Sequence, residues 1–116
     1  MFKVGIVGCG GIGMAHARSW SAVDGVKVAA AVDLDPAKAK ALADVCGAEP
    51  LTDIAQLPSD LDAVSVVTPP QAHYPVIKSL LERGFNVFSE KPLTTDVAQG
   101  EELVKLAEEK KCLLGV

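Results

Sequence analysis

The stretch that decides the fold is Val4-Gly5-Ile6-Val7-Gly8-Cys9-Gly10-Gly11-Ile12-Gly13. The apolar run over residues 2–7 is rich in valine and too short for a helix, so it predicts a buried strand. Residues 11–23 carry apolar side chains at helical spacing and predict a helix. Gly8, Gly10 and Gly13 thus stand where a strand turns into a helix, in the pattern G-x-G-x-x-G.

Each glycine in this pattern has a physical task. Gly8 permits the tight turn, Gly10 lets the backbone approach a pyrophosphate, and Gly13 lets the helix pack closely on the strand. The helix start at Gly11 and Ile12 offers N–H groups and the positive end of the helix dipole to phosphates. The alternative is an ordinary strand-to-helix turn, but the strand and helix around the glycines favour a dinucleotide site.

An acidic residue follows at the distance that such a site requires. Asp33 ends a second predicted strand at residues 26–32 and lies 20 residues after Gly13, where a carboxylate binds the adenosine ribose hydroxyls. Leu34 and Asp35 follow, so neither neighbouring position supplies a cation for a 2′-phosphate. The sequence therefore favours NAD over NADP, with Lys38 as the one nearby cation that weakens this preference.

Strand and helix patterns alternate along the rest of the chain. Asp35 and Pro36 begin a second helix that stops at Gly47, and a helical turn follows Thr52. Further strands are predicted at residues 48–51, 63–67, 86–89 and 112–116, and further helices at residues 72–83 and 96–110. This alternation predicts an α/β, doubly wound parallel sheet of the Rossmann type, with helices on both faces and strand order 3-2-1-4-5-6.

Composition limits the class of protein. The 116 residues, of which 49% are apolar, fit one globular domain spanning residues 1–116. The net charge of -4 argues against a nucleic-acid partner and against binding to an anionic membrane surface. The three cysteines lack the spacing of a disulfide framework or a metal site, so we expect reduced thiols, no metal and a cytoplasmic location. No signal peptide and no stretch of about 18 apolar residues is present.

Three polar positions allow both a functional and a structural interpretation. Thr68-Pro69-Pro70 follows the fourth predicted strand, beside the cofactor in such a sheet, although prolines there can simply end a strand. His73 could touch the nicotinamide or its ribose, or it could be an exposed residue at a helix start. Cys9, within the glycine loop, is more simply a small side chain in a tight turn than a reactive thiol. His16, in the first helix, is interpreted as structural.

Glu90-Lys91-Pro92 follows the fifth predicted strand. A lysine there would enter the same crevice, near the expected place of the nicotinamide ring, and could act as an acid–base group or electrostatic anchor. As an isolated tripeptide, however, this segment is usually a charged turn.

The motifs occur in one order: the glycine stretch, Ala31-Val32-Asp33, Thr68-Pro69-Pro70 with His73, and Ser89-Glu90-Lys91-Pro92-Leu93. This order resembles the N-terminal, NAD(P)-binding domain of the glucose-fructose oxidoreductase / inositol dehydrogenase / rhizopine-catabolism (Gfo/Idh/MocA) family. The resemblance implies that Lys91 lies at the nicotinamide and takes part in hydride and proton transfer on a sugar, inositol or related polyol. It also implies that Thr68, Pro69 and Glu90 line the cofactor.

Members of this family are longer and carry a second domain for substrate binding and oligomerisation. We therefore expect a domain fragment that lacks this C-terminal domain, is inactive alone and forms a homodimer through its C-terminal end. The alternative is a stand-alone, non-enzymatic NAD(H)-binding module with a regulatory or redox-sensing role. Lys91 favours the enzyme, because a sensor needs no proton-handling group.

Overall fold

The computed structural model describes residues 1–116 and contains one six-stranded parallel sheet. Its strands are β1 (Phe2–Val7), β2 (Val26–Val32), β3 (Glu49–Leu51), β4 (Ala63–Val66), β5 (Val87–Ser89) and β6 (Leu114–Gly115). Its helices are α1 (Gly11–Ser21), α2 (Pro36–Cys46), α3 (Pro70–Glu82) and α4 (Val97–Lys110), with a 3₁₀ turn at Ile54–Gln56. The strand order β3-β2-β1-β4-β5-β6 confirms the predicted doubly wound topology.

The helices cover both faces of the sheet, as predicted. On one face α1 and α2 bury three alanines, Ala17, Ala39 and Ala43, together with Leu42, in a cluster of nine buried residues. On the other face α3 and α4 supply larger side chains, such as Ile77 and Leu103, to a cluster of 15 buried residues. Small side chains on the first face let α1 approach β1 closely, and this brings the helix N-terminus to the sheet edge.

Local signals fix most helix boundaries. The Asp35 side chain accepts a hydrogen bond from the Ala37 amide at 2.9 Å, Pro36 occupies the first helical position, and Gly47 ends α2 in the left-handed conformation at φ 71°. At α4 the Asp96 side chain accepts from the Gln99 amide at 3.2 Å. These caps confirm the boundaries predicted for the two helices to within a residue.

Three elements differ from the predicted ones by two residues or more, and the other boundaries agree to within a residue. Helix α1 ends at Ser21 rather than Val23, and α3 begins at Pro70 rather than Ala72. The earlier start of α3 is consistent with the fixed φ of proline, which suits the first turn of a helix. Strand β6 is two residues long rather than five, and it pairs only with β5 at the edge of the sheet.

The single tryptophan ties α1 to the sheet. The Trp20 indole Nε1 donates a hydrogen bond to Ser65 Oγ on β4 at 2.8 Å, which satisfies a hydroxyl that is fully buried. The Trp20 ring also stacks on Phe2, with ring centroids 6.4 Å apart. No helix in the chain has the length and apolar character needed to cross a bilayer.

Candidate functional site

A cleft of about 920 Å³ lies at the carboxyl ends of the central strands. In a doubly wound sheet this edge is where ligands bind, because the connections from β1 and β4 diverge to opposite faces there. All of the predicted site residues except Gly13 line the cleft: Gly8, Gly10, Gly11, Ile12, Asp33, Leu34, Thr68, Pro69, His73, Glu90 and Lys91. The fold therefore brings residues from five separate places in the sequence to one cavity.

The turn between β1 and α1 excludes side chains at two glycines. Gly8 has φ +102°, and a Cβ there would lie 2.8 Å from the Val67 carbonyl carbon. A Cβ on Gly13 would lie 2.0 Å from the Gly8 carbonyl oxygen, so nothing larger than hydrogen fits. These two glycines shape the turn, and Gly13 itself is buried beneath the cleft.

Gly10 and Gly11 differ from Gly8 and Gly13, because a Cβ on either would meet no atom of the chain within 4 Å. Both residues line the cleft, and no side chain caps α1 at its start. The first hydrogen bond of the helix runs from the Met14 amide to the Gly10 carbonyl at 2.9 Å. The open space therefore lies in front of a helix N-terminus, which is the arrangement that receives a pyrophosphate.

The Asp33 carboxylate is held in place by the backbone. Its Oδ2 accepts from the Cys9 amide at 2.8 Å, and its Oδ1 accepts from the Asp35 amide at 2.9 Å. Each carboxylate oxygen has a further lone pair for a hydroxyl donor. Asp33 therefore links the glycine loop to the end of β2 and holds a preorganised hydrogen-bond acceptor at the cleft. Leu34 beside it is 91% exposed, and Lys38 lines the same end of the cleft.

Cys9 is not a reactive thiol. Burial raises its pKa to about 12, and the negative charge of Asp33 acts in the same direction. Its Sγ lies 3.3 Å from the Val32 carbonyl oxygen, within the core beneath the loop. The interpretation as a small side chain that fills a tight turn is confirmed.

Thr68 and Pro69 form the opposite wall, directly after β4. The Thr68 hydroxyl oxygen is buried and has no hydrogen-bond partner in the chain. Such unpaired buried groups are rare, because each costs free energy comparable to a lost hydrogen bond. The open space at Gly10 and Gly11, the presented carboxylate and this unpaired hydroxyl fit a dinucleotide cofactor.

His73, on α3, is 1% exposed, so the interpretation as an exposed helix-start residue is wrong. Its Nδ1 lies 2.7 Å from the Pro92 carbonyl oxygen and 3.2 Å from that of Leu93. Its Nε2 lies 2.8 Å from the Thr68 carbonyl oxygen. The ring lines the cleft, but both of its nitrogens face main-chain carbonyls of the two loops that flank it.

Glu90 and Lys91 follow β5 at the end of the cleft opposite Asp33. The Glu90 Oε2 lies 2.8 Å from the Nε2 of His16, which projects from α1. His16, interpreted from the sequence as structural, therefore contacts a site residue. Helical periodicity gave no signal for this contact, since 74 residues separate the two side chains.

Lys91 is exposed and makes no ion pair with the rest of the chain. Its ammonium group is thus available to a molecule bound in the cleft. The peptide bond between Lys91 and Pro92 is cis. No cluster of histidine, cysteine and carboxylate side chains could hold a metal ion.

The fold and the cleft together define a dinucleotide-binding domain of the Rossmann class. The family model for oxidoreductases with an NAD-binding Rossmann fold, GFO_IDH_MocA, matches residues 2–116. The chain belongs to this Gfo/Idh/MocA oxidoreductase family, and it is an NAD-binding Rossmann domain.

Relatives of known activity match along nearly the whole chain. Inositol 2-dehydrogenase from Rhizobium meliloti is 32% identical over 115 residues, which are 98% of this chain and 35% of that protein. UDP-N-acetylglucosamine 3-dehydrogenase from Acidithiobacillus ferrooxidans is 27% identical over 114 residues, or 98% of this chain and 36% of that protein. The chain thus spans about a third of the length of these relatives.

Solved structures agree in fold and in cofactor class. KijD10, a 3-ketoreductase from Actinomadura kijaniata in complex with NADP, superposes with a TM-score of 0.92 at 34% identity, over 97% of this chain and 37% of that one. GenD2 from gentamicin A biosynthesis, in complex with NAD, superposes with a TM-score of 0.93 at 30% identity, over 98% of this chain and 33% of that one. These neighbours bind a nicotinamide dinucleotide, NAD in one and NADP in the other.

Proposed function

We propose that this domain binds NAD in preference to NADP and serves a longer oxidoreductase that acts on a sugar, inositol or related polyol. The observation that carries the proposal is the single cleft that holds the open glycine turn at one wall, Asp33 at one end and Lys91 at the other. Along the cleft this arrangement supplies a ribose acceptor, a phosphate site and an acid–base group, in the order that a dinucleotide needs. The activities named for the relatives support the substrate class.

Each part of the cleft has a proposed role. Bound NAD would accept a hydride from the carbon that carries the substrate hydroxyl. Gly10, Gly11 and Ile12 bind the pyrophosphate through main-chain N–H groups, and Gly8 and Gly13 give the turn its shape. Asp33 accepts hydrogen bonds from the ribose, while Leu34 offers no charge to a 2′-phosphate. Thr68, Pro69, His73 and Glu90 form the walls near the nicotinamide. Lys91 orients the substrate hydroxyl and takes part in the transfer of its proton.

Titration of the 116-residue chain with NAD and with NADP tests the binding role. We expect tighter binding of NAD, because the fixed Asp33 carboxylate repels a 2′-phosphate. Gly10→Val should weaken NAD binding by about a hundredfold or more, because the added side chain fills the phosphate approach. Ala22→Val, at the exposed other end of α1, is the matched control and should bind as the unmodified chain does. Equal or tighter binding of NADP would overturn the cofactor preference.

Catalysis needs a second wall that this domain does not provide. Hydride transfer requires the substrate carbon to be held near attack distance, and the cleft is open on the side of Lys91. We therefore propose that the 116-residue chain alone gives no turnover with myo-inositol and NAD. Turnover should arise in a longer protein that also has a substrate and oligomerisation domain, and Lys91→Ala should abolish it. A longer protein that binds NAD without turnover of any sugar or polyol would favour the alternative, a non-enzymatic regulatory or redox-sensing role.

The edge of the sheet at β6 supports a proposal about self-association. Leu113 is 76% exposed beside this two-residue strand, whereas the opposite edge carries Pro50, which blocks strand addition. We propose that the isolated domain forms a homodimer through β6. Sedimentation should show a dimer that Leu113→Lys dissociates, and a monomer at every concentration would contradict it.

We also propose a cytoplasmic location, because the three unpaired thiols suit a reducing compartment.

A further inference from the structure

The chain has two histidines, and both contact the segment at residues 90–93 that carries Lys91. His16, on α1, reaches the Glu90 carboxylate on one side of Lys91. His73, on α3, reaches the carbonyl oxygens of Pro92 and Leu93 on the other side. The two helices lie on opposite faces of the sheet, so the segment is fastened from both faces at once.

The His73 ring also joins this segment to the opposite wall of the cleft. Its Nδ1 faces the carbonyl oxygens of Pro92 and Leu93, while its Nε2 faces the carbonyl oxygen of Thr68. Carbonyl oxygens only accept hydrogen bonds, so whichever ring nitrogen carries a hydrogen donates it to one of the two loops. Because the ring is buried, water does not compete with these bonds.

The contact at His16 is also shielded. The His16 side chain is 15% exposed, and its ring lies against Phe88, with ring centroids 5.9 Å apart. Only its Nε2 reaches Glu90, whereas the Nδ1 of His73 is the atom nearest Pro92. The two histidines therefore hold the segment through different ring nitrogens.

We propose that His16 and His73 are positioning residues for Lys91, an inference that rests on the catalytic role proposed for that lysine. Neither histidine needs to touch substrate to act in this way. Each restricts the main chain beside Lys91, so that the ammonium group keeps one place at the end of the cleft. Loss of either contact should lower turnover through misplacement of Lys91, since small displacements of a reacting group have large effects on rate.

The different ring nitrogens allow a crossed test with conservative variants. The side-chain amide of glutamine falls near the Nε2 position of histidine, and that of asparagine falls near the Nδ1 position. His16→Gln should therefore keep the bond to Glu90, and His16→Asn should lose it. His73→Asn should keep the bond to Pro92, and His73→Gln should lose it while keeping the bond to Thr68. The rank of glutamine and asparagine is thus opposite at the two positions.

The first readout does not depend on cofactor or activity. In the 116-residue chain, NMR order parameters of the Lys91 and Leu93 amides should fall from about 0.85 to below about 0.6 in His16→Asn and His73→Gln. His16→Gln and His73→Asn should stay closer to the unmodified chain. Thermal denaturation of all four variants identifies general destabilisation, which would lower order throughout the domain. The proposal would be overturned if the same residue, glutamine or asparagine, gave the higher order parameters at both position 16 and position 73.

The second readout is turnover of myo-inositol with NAD by the longer protein. His16→Asn and His73→Gln should lower kcat about tenfold or more, and His16→Asn, whose side chain does not line the cleft, should do so with little change in KM or in the Kd for NAD. A uniform loss of NAD binding in all four variants would show a merely structural role and overturn the proposal. No turnover of myo-inositol by the unmodified protein would exclude inositol as its substrate, and the order parameters would then be the test of the proposal.

Discussion

The glycine loop at residues 8–13 and the segment at residues 90–93 line the same cleft but are held in place by different forces. The loop takes its shape from sterics within a single turn, where a Cβ on Gly13 would meet the Gly8 carbonyl oxygen, and Asp33 holds it through the Cys9 amide. The later segment is fixed by side chains from α1 and α3, through contacts that span 19 and 74 residues of sequence. The comparison shows that the shape of one wall is set within a few residues, whereas the place of the other depends on side chains from two distant helices.

The largest expected effect comes from a substitution within the glycine loop. In Gly13→Ala the new Cβ would meet the Gly8 carbonyl oxygen at 2.0 Å, and main chain cannot move away as a flexible side chain can. We expect the free energy of unfolding to fall by about 3 kcal/mol or more, measured by urea denaturation. Gly11→Ala, in the same turn but facing open space, is the control and should be as stable as the unmodified chain. Equal stability of the two variants would show that the turn can relax.

The next effect concerns the carboxylate that joins the loop to β2. Asp33→Ala should weaken NAD binding by about 1–3 kcal/mol, because charge-assisted hydrogen bonds to the ribose are lost. It should also reduce the difference in affinity between NAD and NADP, as measured by calorimetric titration. Asp35→Ala is the control: it removes the cap of α2 and about 1 kcal/mol of stability, but this side chain does not line the cleft. Similar affinity losses in both variants would contradict a direct role for Asp33.

A smaller effect tests whether side-chain contacts hold other cleft residues as well. Arg83 donates to the carbonyl oxygens of Ile54 and Leu57 at 2.9 Å each, and its guanidinium lies 4.8 Å from the centre of the Phe85 ring. Arg83→Met should lower the free energy of unfolding by about 1–2 kcal/mol, measured by urea denaturation. Lys105→Met, at an exposed position on α4, should change it little. An unchanged free energy of unfolding in Arg83→Met would show that the turn at Ile54–Gln56 is stable without this side chain.

The smallest expected effect is a dependence of folding stability on pH, which comes from the buried Cys9 thiol beneath the glycine loop. Burial raises the pKa of Cys9 to about 12, above its value in the unfolded chain, and burial also raises the pKa of Cys46. The unfolded chain therefore loses its thiol protons first as pH rises, and folding stability falls. We expect the free energy of unfolding, measured by urea denaturation, to fall by about 1 kcal/mol between pH 8 and pH 10. In Cys9→Ala the free energy of unfolding should fall less steeply with pH. An unchanged slope would show that the Cys9 thiolate is tolerated in the fold.

The sequence was sufficient for the strand order and for the glycine loop, because both follow from local patterns. Apolar strands, capped helices and the glycine spacing each act within a few residues, and a parallel sheet allows few connections. Asp33 was likewise readable from its distance to the loop.

The contacts of the two histidines were not readable. No periodicity pairs His16 with Glu90, and nothing at a helix start shows that His73 will be buried. These contacts exist only after both faces of the sheet are packed. The sixth strand was predicted, but its length was wrong, since that length depends on pairing with the three-residue β5.

The Trp20 bond to Ser65 has an optical consequence. Trp20 is the only indole in the chain, so its emission reports one place in the fold without any label. That place is one helical turn beyond His16, on the element whose N-terminus faces the cleft. Reduced nicotinamide absorbs light near the wavelengths that tryptophan emits, so energy transfer from Trp20 would give occupancy of the cleft and integrity of α1 in one fluorescence spectrum.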